Sequence, residues 1–421
     1  MSTGLSTSGS LTGNALEGTT IQKRGNIATL KTQSSNLVAL DTYGNEFKAP
    51  DYSIKDILLA IPTHCYERRL TTSFYYVFRD ILLLVTVGYI GNTFIPLLPS
   101  VYLRFAAWGV YTYIQGLILT GIWVLAHECG HQAFSDYGLV NDTVGWILHS
   151  YLLVPYFSWK YSHGKHHKAT GHITRDMVFV PKTKEKFLKA RHASRLEEIA
   201  GDAPLYTLMD LLTQQLGGWI MYLWTNVTAG QGYGFWSHSH FNPTAPIFET
   251  RDYWYIVLSD LGIAIQLFVL YNWYQYFGGF NLFVNWFLPY IFTNHWLVFI
   301  TFLQHTGPEM AHYDAKEWNF ARGAAATIDR EFGFVGEYLF HDIIETHVLH
   351  HYCSRIPFYN AREASEAIKK VMGTHYMHSD ENMWVSLWKS GRWCQYVDGD
   401  NGLLMYRNTN NLGMGTKNTK D

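Results

Sequence analysis

The chain has 421 residues, of which 48% are hydrophobic, 16% aromatic and only 16% charged, against roughly 25% charged in average soluble proteins. A net charge of −2 gives no global pull toward nucleic acid, and four scattered cysteines without a CxxC pair argue against a disulfide framework or a thiolate metal site. Mean hydropathy of −0.07 is too low for a chain lying mostly in lipid, so a few membrane spans carrying a large water-facing part are expected.

Residues 1–45 are rich in Ser, Thr, Gly and Asn and read as a disordered tail, neither a cleaved signal nor a transit peptide. Residues 46–400 are the body, and 401–421 a second polar tail. Within the body, four apolar stretches have the length to cross ~30 Å of hydrocarbon: residues 81–98, 105–126, 253–271 and 282–303. Aromatics that favour the membrane interface flank the third, with Tyr253, Trp254 and Tyr255 before it and Trp273, Tyr274 and Tyr276 after it. Between Lys160 and Arg195 lie ten basic residues, which the positive-inside rule assigns to the cytosol. Two hairpins then leave both termini, the 127–250 region and everything after 303 on that side. Two further apolar segments, 145–157 and 205–223, are too short or too polar (Asp210, Gln214, Gln215) to span and are expected to lie at the interface. The expected fold is all-α: an integral membrane protein of four transmembrane helices with a cytosolic helical cap.

The twenty histidines are the outlier in composition, and three clusters concentrate them. His127 and His131 form HxxxH. His163, His166 and His167 form HxxHH, as do His347, His350 and His351. Spread evenly, twenty histidines would place fewer than one in these fifteen positions, which hold eight. On a helix, residues at i, i+3 and i+4 share a face, so each cluster can aim its imidazoles at one point. The first ends the second span, and the topology brings the other two to the same side. Eight imidazoles exceed the four ligands of one zinc and suit a pair of six-coordinate irons. His305 closes the fourth span at that face and is a candidate ninth ligand; His312 is a weaker one. Metal-bound imidazoles usually give their second N–H to a carboxylate or carbonyl, and Glu128, Asp176, Asp342 and Glu345 lie beside the clusters. Asp260, inside the third span, is costly in lipid and suggests a polar contact there.

Two readings compete. His127, Glu128 and His131 also satisfy HExxH, the zinc-protease signature, so a membrane-embedded metalloprotease is an alternative, although it leaves both HxxHH clusters unused. A carboxylate-bridged di-iron bundle would draw on Glu128 with His131 and Glu309 with His312, and leaves six histidines idle.

The three boxes, in this order and spacing, resemble those of the membrane fatty acid desaturases. The stretches AHECGHQAFSDYG (126–138), GWILHSYLLVPYFSWKYSHGKHHKATGHITRD (145–176), FLQHTGP (302–308) and FHDIIETHVLHHYCSRIPFYNA (340–361) are similar to the delta-12 and omega-3 acyl-lipid desaturases, fungal and yeast-type in particular. The resemblance implies a multi-pass enzyme of the endoplasmic reticulum that uses O2 to introduce a cis double bond into a phospholipid-linked acyl chain, oleoyl to linoleoyl in the delta-12 case and linoleoyl to α-linolenoyl in the omega-3 case. It implies electrons from NADH through cytochrome b5 and its reductase, and two irons held by the eight box histidines. Three positions depart from the family's usual residues: Gly307 where Asp or His is usual, Ala311 for Pro, and Cys353 for Val. Ala126, before the first box, is as in ordinary desaturases rather than the relatives that make hydroxylated or acetylenic chains.

Overall fold

The computed structural model describes residues 37–229 and 236–416. Strands β1 (Val38–Leu40) and β2 (Glu46–Lys48) form an antiparallel hairpin. Helix α1 (Ile54–Ala60) follows, started by a Ser53–Asp56 capping box. Next come two long apolar helices packed on each other, α2 (Leu70–Phe94) and α3 (Val101–Gly130), the second begun by the Ser100 hydroxyl accepting from the Tyr102 N–H. Helices α4 (Gly138–Tyr151) and α5 (Tyr156–His167) turn back beneath the end of α3, and α6 (Lys184–Ala193), α7 (Arg195–Ala200) and α8 (Pro204–Thr225) complete the middle of the chain. A second long pair is α9 (Tyr253–Leu282) and α10 (Leu288–His305). The rest is an assembly of short pieces: β3 (Ala311–Tyr313), α11 (Phe320–Ala324), β4 (Asp329–Arg330), α12 (His347–Tyr352), α13 (Phe358–Met372), β5 (His378–Ser379), α14 (Met383–Trp393), β6 (Tyr396–Asp398) and β7 (Leu403–Arg407).

Helices α3 and α10 cross closely because Gly116 has no side chain to hold them apart. A Cβ there would strike Phe292, and the Thr293 hydroxyl reaches the Gly116 carbonyl at 3.3 Å. Around this crossing lies the main core, with Leu119, Trp123, Trp219, Trp296, Phe299 and Leu303 nearly or fully buried. The outward faces of α2 and α9 carry exposed Phe78, Tyr89 and Phe94, and Trp254, Phe268 and Tyr276. A continuous exposed apolar surface of that kind marks contact with lipid.

Five expectations change. The fold is mostly helical rather than all-α, with three small sheets, of which the largest is the antiparallel β3–β7–β6. These strands have two to five residues, too short for a local period to announce them, and β3–β7 and β4–β5 pair across long sequence separations. The boundaries of the tails move as well: residues 38–48 form a short hairpin, and Leu403, Met405 and Tyr406 of β7 are buried where β7 pairs with β3 and β6. Residues 1–36 and 417–421 lie outside the described residues.

Among the described residues three stretches, not four, are long and apolar enough to cross a membrane: Leu70–Leu97, Val101–Gly130 and Thr250–His305. The third contains both expected spans 253–271 and 282–303. The linker between them stays helical except at Gly278, where φ of 81° breaks the run at a position only glycine occupies without strain, followed by a wide turn at Phe283–Phe287. Helix α2 begins at Leu70, before Arg79 and Asp80, because Asp80 is buried and paired rather than marking the water boundary. The segment 145–157 is two helices, α4 and α5, joined at Leu153 in left-handed conformation.

Candidate metal centre

Each histidine cluster sits where a helix ends or a short helix is held. His127 lies in the last turn of α3 with His131 at its cap, while His163, His166 and His167 lie on α5. His305 is the final residue of α10, and His347, His350 and His351 lie on α12. All nine converge. Ligand nitrogens of His127, His131, His163, His167 and His350 lie within 4.8 Å of one another, as do those of His166, His305 and His351. His347 joins the second group through its Nε2, 3.1 Å from that of His305. The groups are adjacent: the rings of His167 and His351 stack with centroids 4.1 Å apart.

The spacing inside each group is that of atoms sharing an ion. Two nitrogens each ~2.1 Å from one metal lie ~3.0 Å apart at a right angle and ~3.4 Å apart at the tetrahedral angle. Nε2 separations are 3.2 Å for His127–His163, 3.1 Å for His163–His167, 3.3 Å for His166–His305 and 3.1 Å for His305–His347. The Nε2 atoms of His131, His350 and His351 are buried with no hydrogen-bond partner, a cost that an ion accepting those lone pairs would remove. Burial, reinforced by the neighbouring imidazoles, holds His163, His167, His347, His350 and His351 well below the usual histidine pKa, in the neutral form that binds metal. These residues can therefore hold two metal ions.

Tautomers are set from outside the groups. The Nδ1–H of His166 donates to Asp176 Oδ1 at 2.8 Å, and the same oxygen accepts the N–H groups of Val178 and Phe179. The Thr170 hydroxyl spends its proton on the His166 carbonyl at 2.8 Å, so at 3.0 Å it accepts from His351 Nδ1–H and leaves the His351 Nε2 lone pair facing the centre. Glu128 Oε1 lies 3.6 Å from His127 Nδ1, too far for a hydrogen bond, and its Oε2 accepts the Phe358 N–H at 3.1 Å. Asp342 and Glu345 do not face the histidines. Asp342 is held by Arg362 at 2.6 Å and Glu345 by the Phe332 N–H at 3.1 Å. His341 and Asp342 both have left-handed backbone, φ 55° and 60°, and this double turn swings the preceding segment away from the box.

Sequence reasoning missed two supports. One is Thr170, four residues beyond His166 and without charge to mark it. The other is the buried pair of His341 Nε2 and Asp80 Oδ2 at 2.7 Å, which ties α2 to the strained turn before the third box. Polar Asp80 just ahead of a long apolar run was the available signal. His312 stays apart, in β3 against the Tyr406 ring, and Asp260 keeps a buried Oδ1 without a partner. Gly307, two residues after His305, faces Met310 and Arg330. Ala311 is buried in β3, and Cys353 caps α12 beside Tyr66. None of the three displaces a histidine of the centre.

This geometry disfavours both competing metal sites. A metalloprotease would hold one ion on His127 and His131 with Glu128 facing a water. Here three more imidazoles crowd the same point, and Glu128 is engaged with the backbone of Phe358. A carboxylate-bridged site would need His312, which lies elsewhere.

The profile of the family described as fatty acid desaturase matches residues 104–381. An oleate hydroxylase from Claviceps purpurea is 50% identical over 403 residues, covering 89% of this chain and 84% of its own length. A delta(12) fatty acid desaturase from Mortierella alpina is 41% identical over 387 residues, covering 90% of this chain and 96% of its own. An omega-6 fatty acid desaturase of the endoplasmic reticulum from Brassica juncea is 41% identical over 367 residues, covering 86% and 93%.

Proposed function

Because the chain belongs to the fatty acid desaturase family, we propose that it is a delta-12 enzyme converting a phospholipid-linked oleoyl chain to linoleoyl, with O2 and with electrons from cytochrome b5 and its reductase. The observation that carries this reading is the convergence of nine histidines, seven of them buried and His131 and His163 half-buried, into two adjacent groups at the ends of apolar helices and on short helices beside them. His127, His131, His163, His167 and His350 would hold one iron, and His166, His305, His347 and His351 the other. Imidazole suits iron, and five and four nitrogens leave positions open on six-coordinate ions. Iron so held supplies the O2 chemistry needed to cleave an unactivated C–H bond, which side-chain acid–base groups cannot do.

The protein's own residues orient and exclude. Asp176 and Thr170 fix the His166 and His351 rings. The indoles of Trp123 and Trp159 stack on His127 and His163 at 5.6 and 4.6 Å between centroids and keep water from that side. Positioning of the acyl chain then decides which methylenes react, since small misplacement costs rate heavily.

The membrane topology that serves this chemistry has four crossings. A straight helix over the 56 residues Thr250–His305 would run about 84 Å at 1.5 Å per residue, far more than the ~30 Å of hydrocarbon. A reversal at the Gly278 break makes it two crossings, and brings His305 to the face where α3 ends. The ten basic residues of 160–195 support a cytosolic position for that face and for both termini, and an endoplasmic reticulum membrane agrees with the Brassica juncea relative's name.

The 50% identity to an oleate hydroxylase favours a second reading, in which the carbon that loses the first hydrogen gains an oxygen from O2 and the neighbouring carbon keeps its hydrogens. Expression in a yeast host that makes oleate but no polyunsaturates separates the outcomes by gas chromatography and mass spectrometry. Linoleate is the expected product. A hydroxyoleate supports the second reading, and α-linolenate formed only on linoleate feeding transfers the chain to the omega-3 class. Metal analysis of the purified protein is expected to give two irons per chain; a single zinc overturns the reading.

A further inference from the structure

Between α10 and α12 runs the short strand β4, Asp329–Arg330, which belongs to no histidine box. It meets both arms of the second histidine group. On one side is the end of α10, whose last carbonyls have no partner within the helix. The Ile328 N–H donates to the Gln304 carbonyl at 3.2 Å. The buried Arg330 guanidinium donates to the carbonyls of Leu303 at 3.0 Å and Thr306 at 3.3 Å. Those three carbonyls bracket His305, and the helix dipole favours a cation at that end.

On the other side is the start of α12. Its first N–H groups lack partners within the helix too, and Thr346 at the N-cap spends its hydroxyl on the Asp342 carbonyl at 2.8 Å. The fully buried Asp329 supplies an acceptor instead. Its Oδ1 takes the N–H of Val348, directly after His347, at 2.7 Å, while Oδ2 accepts from the Tyr376 hydroxyl. The Arg330 N–H donates to the Ile344 carbonyl at 3.1 Å, just ahead of the same box. His305 and His347 are the two ligands so held, and their Nε2 atoms lie 3.1 Å apart. Asp176 and Thr170 orient His166 and His351 at Nδ1, but the Nδ1 of His347 is buried without a hydrogen-bond partner. The His347 ring is therefore placed by the backbone beneath it.

We infer that Asp329 and Arg330 are positioning residues for the second iron: adjacent in sequence, they fix the backbones of His305 and His347 so that both imidazoles reach one ion. The group of five takes four of its ligands from α3 and α5, and only His350 shares α12. Loss of this clamp therefore falls first on the group of four, whereas a brace for the fold as a whole would weaken both groups alike. The inference rests on the two-iron reading above and adds what sets the geometry of one of its sites.

The test uses the full-length, iron-loaded protein purified in detergent. Iron content, chelator competition, Mössbauer spectra, thermal unfolding and product formation are measured on the same samples. Asp329→Ala should weaken one iron of the two about tenfold or more, the scale of a support behind a metal ligand. Asp329→Asn, which keeps an acceptor for the Val348 N–H, should restore most of that loss. Arg330→Lys keeps the charge but not the fork that serves two carbonyls, and should weaken the same iron. Ser386→Ala removes the Arg330 Nη1 bond of 3.0 Å that leads away from the histidines, and should leave both irons in place. Should Asp329→Ala fail to accumulate in the membrane, Tyr376→Phe loosens Asp329 from its outer side and should weaken that iron about fivefold, the effect of one hydrogen bond. Loss of both irons in step with a lower unfolding temperature assigns these residues to folding alone and overturns the inference. Wild-type chelator resistance in Asp329→Ala or Tyr376→Phe and in Arg330→Lys overturns it as well. Selective loss of one iron, in variants of a wild type that forms no product from any lipid, would instead sink the desaturase assignment and leave the positioning role standing.

Discussion

The two histidine groups are built in different ways. The group of five takes two i, i+4 pairs, His127 with His131 and His163 with His167, and adds only His350 from another element. The group of four takes His166, His305, His347 and His351 from three helices, α5, α10 and α12, and its rings are oriented by Asp176 and Thr170 from the loop after the second box. Local helix geometry preorganises the first, whereas the second exists only once α5, α10 and α12 have packed. The HxxHH pattern is what joins them: His166 and His167, adjacent in sequence, serve different groups, as do His350 and His351. A box of this form is better understood as a splitter between two ions than as a single claw.

That contrast can be broken most sharply by removing one ligand from each group. His166→Ala and His163→Ala should each lower product by roughly 10²-fold or more, with protein still in the membrane, and iron content should fall from two to one in each. Normal product from either variant removes that residue from the ligand set. His305→Ala should lose one iron as well, and retention of both would return His305 to a structural role. Next in size is the turn that delivers α12. His341→Ala removes one of the two partners of buried Asp80, leaving its Oδ2 unpaired while Arg79 still holds Oδ1, and should lower thermal stability by about 1–3 kcal/mol, with loss of iron concentrated in the group that depends on packing.

Smaller effects sharpen the comparison further. Asp176→Asn should weaken iron binding about 10–100-fold, as is typical for a partner behind a ligating histidine. Chelator competition should place that loss on one iron of the two; equal loss from both would mean that the groups are not separable. Thr170→Val removes a neutral hydrogen bond to His351 worth about 1 kcal/mol, or about fivefold in the same measurement. No change there would assign the His351 Nδ1 proton to another acceptor.

The legible part of this protein was local. Eight box histidines could be read because i, i+3 and i+4 spacing on a helix makes a shared face by itself, and the apolar runs could be read because lipid demands about twenty uninterrupted residues. Asp176 could be proposed because a carboxylate near a ligating histidine is a common support, yet the same rule misassigned Asp342 and Glu345. Proximity in sequence does not say which way a side chain points after two left-handed residues at 341 and 342.

Composition and pattern alone thus determined that the chain is a membrane protein with a histidine-rich metal centre. Tertiary structure alone decided how the nine imidazoles divide between two groups, that Thr170 and the Asp80–His341 pair hold them, and that β7 closes a sheet on β3 from a segment that reads as a tail. The physical reason is sequence separation. An interaction between residues 80 and 341, or 311 and 405, has no local period to reveal it, and is chosen only when packing of the intervening helices makes it the best way to satisfy those buried polar groups.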